Sequence, residues 1–139
     1  MPASILQKDK VMKRTITIPR IPISLNQQER MHWSKWSREK KEWIRDIFFL
    51  VKEQGNALPR GVDHIKISRI TIYFDKVRTR DESNYEPMII KPFADALVLA
   101  GIIKDDTAQY ITRPGAVDFE MDRENPRTEI ELEWQDPAQ

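Results

Sequence analysis

The run of eleven residues from His64 to Phe74 constrains the fold more than any other segment of this chain. Its sequence, HIKISRITIYF, is rich in isoleucine, threonine and aromatic residues, which favour β-strands. The alternation of apolar and polar residues changes phase around Ser68 and Arg69, which predicts either a β-bulge or a change in the buried face. The chain therefore has a strand near its middle, and the segments around that strand decide the fold class.

Stretches with helical periodicity lie on both sides of this strand. In the first, apolar residues recur three, four and seven positions apart, and Gly55 is a natural end. Its apolar stripe consists of Trp36, Trp43, Ile44, Ile47, Phe48 and Val51. The second runs from Tyr85 to Ala100 with Gly101 just beyond it, and Pro92 inside it predicts a kink or a late start. Asn26 is a candidate N-cap ahead of the first helix.

Further strands are predicted towards both ends of the chain. Arg14 to Pro19 alternates polar and β-branched residues, while Gln109 to Phe119 and Arg127 to Trp134 are interpreted as the arms of an antiparallel hairpin. The order β-α-β-α-β-β predicts an α+β fold in which two main helices pack on a small mixed sheet. Residues 1–12 show no periodicity and are expected to form a flexible tail, so that residues 13–139 form a single domain.

The composition excludes several kinds of protein and of site. A chain with 40% hydrophobic and 32% charged residues is typical of folded soluble proteins. It contains neither an apolar run of the ~18 residues that a membrane span needs nor the apolar core of a secretory signal, so we expect an intracellular protein. With no cysteine and two histidines, a metal would need oxygen ligands, which suit Mg²⁺, Mn²⁺ or Ca²⁺.

Charge is distributed unevenly along the chain. The residues through Arg60 carry 13 Lys+Arg and 6 Asp+Glu, a net charge of +7, and the remainder carries 10 and 16, a net charge of −6. This asymmetry favours a basic surface for a polyanion, although the two halves can also simply neutralise each other. Candidate phosphate contacts on the polar face of the first helix are Lys35, Arg38, Lys40, Lys41 and Arg45.

Acidic residues cluster at three places that a helix packed on a sheet can bring together. The clusters are Asp81 with Glu82, Asp95, and Asp105 with Asp106. Converging carboxylates repel one another unless a divalent cation or a cationic side chain lies among them. Lys91 precedes Asp95 by four residues and so shares its helical face. The alternative is a set of solvated turn residues with one surface ion pair.

Three segments of the second half agree in order with a known signature. They are Arg80-Asp81-Glu82-Ser83-Asn84, Lys91-Pro92-Phe93-Ala94-Asp95-Ala96-Leu97 and Ala100-Gly101-Ile102-Ile103-Lys104-Asp105-Asp106. The region resembles the RusA-type Holliday-junction resolvases, common in phages and prophages, and Ser24 to Trp33 resembles the family's N-terminal region more weakly. The resemblance implies a RusA-like fold and a homodimeric endonuclease that needs Mg²⁺, with Mn²⁺ as a substitute. Such an enzyme cuts four-way DNA junctions in recombination and repair, without an organic cofactor or a membrane, in the cytoplasm of a bacterial or phage-infected cell.

The resemblance also implies roles for individual residues. The implied catalytic residues are Asp81, Asn84, Lys91, Asp95 and Asp106, and the implied metal ligands are Asp81, Glu82, Asp105 and Asp106. Asn84 either fixes a carboxylate or caps the following helix. Arg78 and Arg80, close to the implied cut, join the helix cations as DNA contacts.

The segment departs from the family pattern in two respects. Ser83 stands where the family has a second aspartate, and about four more residues separate Asn84 from Lys91. Either Glu82 or Glu86 replaces the missing carboxylate, or the site is inactive and the protein only binds junction or duplex DNA. A third hypothesis is an interaction module whose basic helix binds an acidic protein.

Overall fold

The computed structural model describes residues 10–54, 58–76, 80 and 85–136. The elements are strand β1 (Lys10–Ile18), helices α1 (Leu25–Glu29) and α2 (Trp33–Glu53), strand β2 (Ile65–Phe74), helix α3 (Glu86–Leu99), and strands β3 (Ile111–Thr112), β4 (Val117–Met121) and β5 (Arg127–Asp136). The strands form one mixed sheet of five, so the predicted α+β class with two main helices is confirmed. Within these ranges, none of the helices combines the length and the apolar character that crossing a bilayer requires.

Strands β2 and β5 form the middle of the sheet. β5 pairs antiparallel with β1 on one side and with β2 on the other, while the far edge of β2 pairs in parallel with β3 and then with β4. Since β1 and β2 are both antiparallel to β5, strands β1 to β4 all point the same way. The carboxyl ends of β1, β2 and β4 therefore lie at one edge of the sheet, where the chain continues from β2 towards Arg80 and α3, whereas the short β3 pairs with the amino end of β2.

The predicted hairpin of the last two strands is wrong. β4 and β5 lie on opposite sides of β2, so the chain between them crosses the end of that strand. Asp122 holds this crossing, because its carboxylate accepts hydrogen bonds from the backbone N–H groups of Glu124 and Asn125, both at 3.1 Å, and pairs with Arg127 at 2.7 Å. The predicted strand from Gln109 to Phe119 is also divided into β3 and β4, because Pro114 between them has no N–H to donate to the sheet.

A β-bulge in β2 accounts for the change of phase in its sequence. The register against β5 shifts between Ile67 and Arg69, so that Ile67 pairs with Leu132 and Ile70 pairs with Ile130. Because Leu132 and Ile130 are two positions apart, they point to the same face of the sheet. The bulge therefore keeps the isoleucines on both sides of it in one core. Of the two outcomes predicted from the sequence, a bulge or a change in the buried face, the bulge is confirmed.

The hydrophobic core lies between this face of the sheet and helices α2 and α3. α2 contributes Trp43, Ile47 and Val51, which are buried at spacings of four as predicted. The fully buried isoleucines of the sheet are Ile16, Ile18, Ile65, Ile67, Ile70, Ile72 and Ile130. Burying each such side chain stabilises the fold by roughly 1.5–3 kcal/mol, so the sheet face and the helices are held together mainly by apolar contact.

Several predicted ends of elements are corrected. β1 begins at Lys10 rather than Arg14, because Lys10 to Met12 pair with the end of β5, so the predicted tail of residues 1–12 is too long. The N-cap of α1 is Ser24, not Asn26, and its hydroxyl accepts a hydrogen bond from the N–H of Gln27 at 3.1 Å. α2 ends at Glu53, and its predicted stop, Gly55, lies outside the described residues.

Candidate active site on helix α3

Helix α3 is surrounded by the rest of the molecule on most of its circumference. Its buried residues are Met88, Ile89, Ile90, Pro92, Phe93, Ala94, Ala96 and Leu97. The positions with more exposure include Pro87, Lys91, Asp95 and Leu99, which are four residues apart and so form one line along the helix. Pro92 lies inside the helix, which continues on both sides of it. The charged residues of α3 beyond its first turn are therefore presented to solvent from a helix that packing holds in place.

Lys91 connects two acidic residues at this surface. Its ammonium group lies 3.3 Å from the carboxylate of Asp95, one turn further along the helix, and it donates a hydrogen bond to the carboxylate of Asp106. We call these three residues the Lys91 cluster. The structure thus brings together three of the residues that the resemblance implies to be catalytic. Two of them lie on α3, and the third, Asp106, lies beyond its end.

The turn after α3 places Asp106 in this cluster. Gly101 has a φ of 76°, a conformation that favours glycine, and the next N–H, of Ile102, donates to the carbonyl oxygen of Leu97 at 3.0 Å. Ile102 and Ile103 are both buried, which fixes the returning chain against the core. The predicted helix end at Gly101 is confirmed. Because the chain reverses there, the residues that follow it come back alongside α3.

Electrostatics favour the charged forms of Lys91 and Asp106. The hydrogen bond from Lys91 holds the pKa of Asp106 below its usual value. The same bond, together with a second that Lys91 donates to Asp95, raises the pKa of Lys91. The side chain of Lys91 is 55% exposed and that of Asp106 is 23% exposed, so water screens the pair and its contribution to stability is small. The arrangement is therefore better suited to holding charges at fixed positions than to stabilising the fold.

Asp105 has a local structural contact. Its carboxylate accepts a hydrogen bond from the backbone N–H of Asp106 at 2.8 Å, which restrains the turn that carries Asp106. Its carboxylate is next to that of Asp106 in sequence, and two carboxylates are the kind of oxygen donors that Mg²⁺ prefers. In the part of the chain that the structure describes, however, no three Asp, Glu or His side chains are grouped to hold a metal.

The implied residues that precede α3 in the sequence are not among the described residues. Asp81, Glu82, Ser83 and Asn84 lie outside them, as does Arg78. The N-cap of α3 is Tyr85, which makes no side-chain capping bond. Both roles considered for Asn84 therefore stay predictions, because that residue lies outside the described ranges. Glu86, considered as a replacement acid, lies in the first turn of α3 and is half-buried.

Arg80 is half-buried and contacts the end of β2 and the start of α3. Its guanidinium lies 3.6 Å from the centre of the Phe74 ring and donates hydrogen bonds to the hydroxyl of Tyr85 at 3.2 Å and the carbonyl of Lys76 at 3.3 Å. The rings of Phe74, Tyr85 and Phe119 pack edge to face, with centroids 5.4 to 5.6 Å apart. This aromatic cluster was missed by sequence reasoning, although the aromatic end of β2 was its visible signal. Arg80 therefore connects the end of β2 to the start of α3.

The cations of α2 form a second charged surface. Lys35, Arg38, Lys41 and Arg45 are exposed and Lys40 is half-buried, and together we call them the α2 basic face. Arg45 lies 3.6 Å from Asp46, whereas the other four form no ion pair within the described ranges. Arg38, Lys41 and Arg45 follow one another at spacings of three and four, so they lie along one side of the helix. Glu39 and Glu42 lie among these cations in sequence, so the surface carries an excess of positive charge over several turns rather than positive charge alone.

Comparison with known proteins adds nothing to this geometry, because neither a protein-family model nor a curated protein matches the chain.

Proposed function

We propose that this protein is a Mg²⁺-dependent endonuclease that cuts four-way DNA junctions by hydrolysis of phosphodiester bonds. The observation that carries the proposal is the position of Lys91, held between Asp95 and Asp106 on the exposed line of a helix that is otherwise packed into the core. An ammonium group fixed beside a carboxylate at a solvent-facing edge suits the stabilisation of a phosphate undergoing attack. The resemblance of residues 80–110 to RusA-type resolvases supports the same assignment.

The proposed chemistry is the addition of water to phosphorus with breakage of one ester P–O bond. Lys91 stabilises the negative charge on the phosphate oxygens, and Asp95 keeps the ammonium group in position. Asp106 and Asp81, with Asp105 and Glu82 beside them, are the residues that would hold Mg²⁺. When bound, this ion lowers the pKa of an attacking water and neutralises charge on the phosphate.

The proposed DNA contacts involve the α2 basic face. Four of its five cations have no acidic partner in the described part of the chain, so they are available to phosphates. Because a four-way junction has approximate two-fold symmetry and needs two cuts, the proposed active form is a homodimer with one site for each cut. The proposed setting is the cytoplasm of a bacterial or phage-infected cell.

Cleavage of a labelled junction tests the proposal. The full chain is incubated with a four-way junction and with a linear duplex of the same sequence and length, over a series of Mg²⁺ and Mn²⁺ concentrations. We expect paired nicks in the junction, dependence on the metal and no comparable cutting of the linear duplex. An absence of cleavage with either metal would contradict the proposal.

A non-catalytic DNA-binding protein is the second candidate. It is favoured by the contact in which Lys91 already neutralises Asp106, and by Ser83 at the position where the resembled family has a second aspartate. The junction experiment separates the two candidates, because this alternative predicts binding to the junction with no nicks in either metal. An interaction module for an acidic protein predicts neither junction binding nor cleavage.

A further inference from the structure

A cavity opens between α2, α3 and the segment that follows β1. Its volume is about 90 Å³. The residues that shape it include Ile23, Trp36, Lys40, Trp43, Met88 and Pro92. The walls are mostly apolar and aromatic, and Arg20, Glu39 and Lys40 are the charged residues among those that line the space. The cavity therefore combines flat hydrophobic surfaces with a cation, which are the features that bind a planar ring attached to an anion.

One wall of this cavity is the ring of Trp43, which is held in place by Arg20, a residue that also lines the cavity. Trp43 is 4% exposed, and the guanidinium of Arg20 lies 4.7 Å from the centre of its ring. Arg20 is itself held at 3.5 Å from Asp46 of the same helix. Trp36, by contrast, is only half-buried. The cavity thus has a fixed inner wall and a more accessible aromatic wall nearer to solvent.

The cavity adjoins the Lys91 cluster. Met88 and Pro92 line the cavity from two positions four residues apart on α3, and Lys91 and Asp95 are likewise four apart. At 3.6 residues per turn, these two lines are about 60° apart around the helix. A ring in the cavity and a phosphate at Lys91 would therefore lie on adjacent faces of one helix.

We propose that this cavity binds one unstacked nucleobase of a branched DNA strand. The base stacks against Trp36, and the adjoining phosphate contacts Lys40, which forms no ion pair with any described residue. Glu39 supplies an acceptor for an amino group of the base. The inference rests on the proposed DNA substrate and adds to it a reason for selectivity, since a fully paired duplex offers no base to the cavity.

Direct binding tests this inference without cleavage. In EDTA, the affinity of the full chain is compared for a fully paired duplex and for the same duplex carrying one extrahelical 2-aminopurine. We expect about 5- to 150-fold tighter binding to the second DNA, because stacking of a base on an aromatic side chain contributes ~1–3 kcal/mol. We also expect the fluorescence of the 2-aminopurine to be quenched.

Variants of the cavity and one matched control locate the effect. Trp36→Ala is expected to remove the preference, and Trp36→Phe to retain most of it. Ile23→Trp is expected to remove the preference by filling the space while both aromatic walls stay in place. Phe49→Ala removes an aromatic residue of α2 that is 56% exposed and does not line the cavity, so it should leave the preference unchanged.

Three results would overturn the inference. The first is equal affinity of the wild-type protein for the two DNAs, and the second is a preference that survives both Trp36→Ala and Ile23→Trp. The third is that Ile23→Trp lowers the affinity for both DNAs equally. A protein that shows the preference but cuts no junction supports the cavity and contradicts the proposed nuclease. The two proposals therefore fail in distinguishable ways.

Discussion

The Lys91 cluster and the α2 basic face differ in what their cations contact. Lys91 is enclosed by two carboxylates, one of which comes from beyond the end of its own helix. Four of the five cations of the α2 basic face have no acidic partner in the described ranges. A cation held by acids is fixed in position, whereas a surface with an excess of cations that form no ion pairs attracts a polyanion over a longer distance. Under the proposed function, the first surface would carry out the chemistry and the second would bind DNA, and each prediction below tests this division.

The largest effect is expected from the loss of Lys91. Lys91→Ala should reduce the rate of junction cleavage by about 10²- to 10³-fold, the range found when one group that stabilises transition-state charge is removed. Its affinity for the junction should change much less, because the α2 basic face stays intact. Single-turnover cleavage and a binding titration measure the two quantities.

Lys66→Ala is the matched control for this variant. Lys66 is an exposed lysine at the amino end of β2 and forms no ion pair with any described residue. Its replacement should leave the cleavage rate within a factor of about two of the wild type. Equal losses of rate in the two variants would indicate a general effect of charge and would remove the special role of the Lys91 cluster.

The next effect concerns affinity and its dependence on salt. Replacing Arg38, Lys41 and Arg45 together by alanine should lower the slope of log K against log salt concentration by about 2.7, since each lost phosphate contact contributes ~0.9. The cleavage rate at saturating protein should stay close to that of the wild type. Replacing Lys10, Lys13 and Arg14, which are exposed on the edge strand β1, removes the same charge and should change the slope much less.

A smaller effect is expected from Asp95→Asn. This change removes one of the two carboxylates around Lys91 and leaves the contact with Asp106. Because an exposed ion pair contributes about 0.2–1 kcal/mol, the cleavage rate should fall by no more than about fivefold. A loss as large as that of Lys91→Ala would show that Asp95 takes part in the chemistry directly and would change the description of the cluster.

The smallest effect is a shift in a pKa. In Lys91→Met, the pKa of Asp106 should rise towards its usual value, because the hydrogen bond that lowers it is lost. NMR titration of the carboxyl group measures this shift. In the wild type, the contribution of Asp106 to folding stability is present above the ordinary carboxyl pKa and disappears as the pH falls through the lowered pKa. The variant should lack this dependence, and an unchanged pKa of Asp106 would contradict the contact.

The sequence predicted the positions of helices and strands better than it predicted which strands pair with each other. Periodicity identified the central strand and both main helices, and the phase change at Ser68 and Arg69 correctly included the bulge among its outcomes. The hairpin prediction failed because strand pairing depends on contacts between distant residues. Nothing local in the last two strands indicates that β2 separates them, and the crossing is held by the ion pair between Asp122 and Arg127.

In the candidate site, too, the sequence predicted local spacing along a helix better than contacts between distant residues. A spacing of four residues was enough to place Lys91 and Asp95 on one face of α3. The return of Asp106 to Lys91 depends on the turn at Gly101, whose helix-ending role the sequence indicated but whose direction it did not. The contact of Arg80 with the Phe74 ring was not predicted. From its position beside Asp81, next to the implied cut, Arg80 was expected to contact DNA.

The most direct test of the division between the two surfaces compares Asp106→Asn with Asp118→Asn on the four-way junction. Asp118 also forms an exposed ion pair, with Arg69 at 2.9 Å, but on another part of the sheet. We predict that Asp106→Asn abolishes metal-dependent nicking while it keeps junction binding, and that Asp118→Asn cuts like the wild type. Nicking by Asp106→Asn at the wild-type rate would contradict the account.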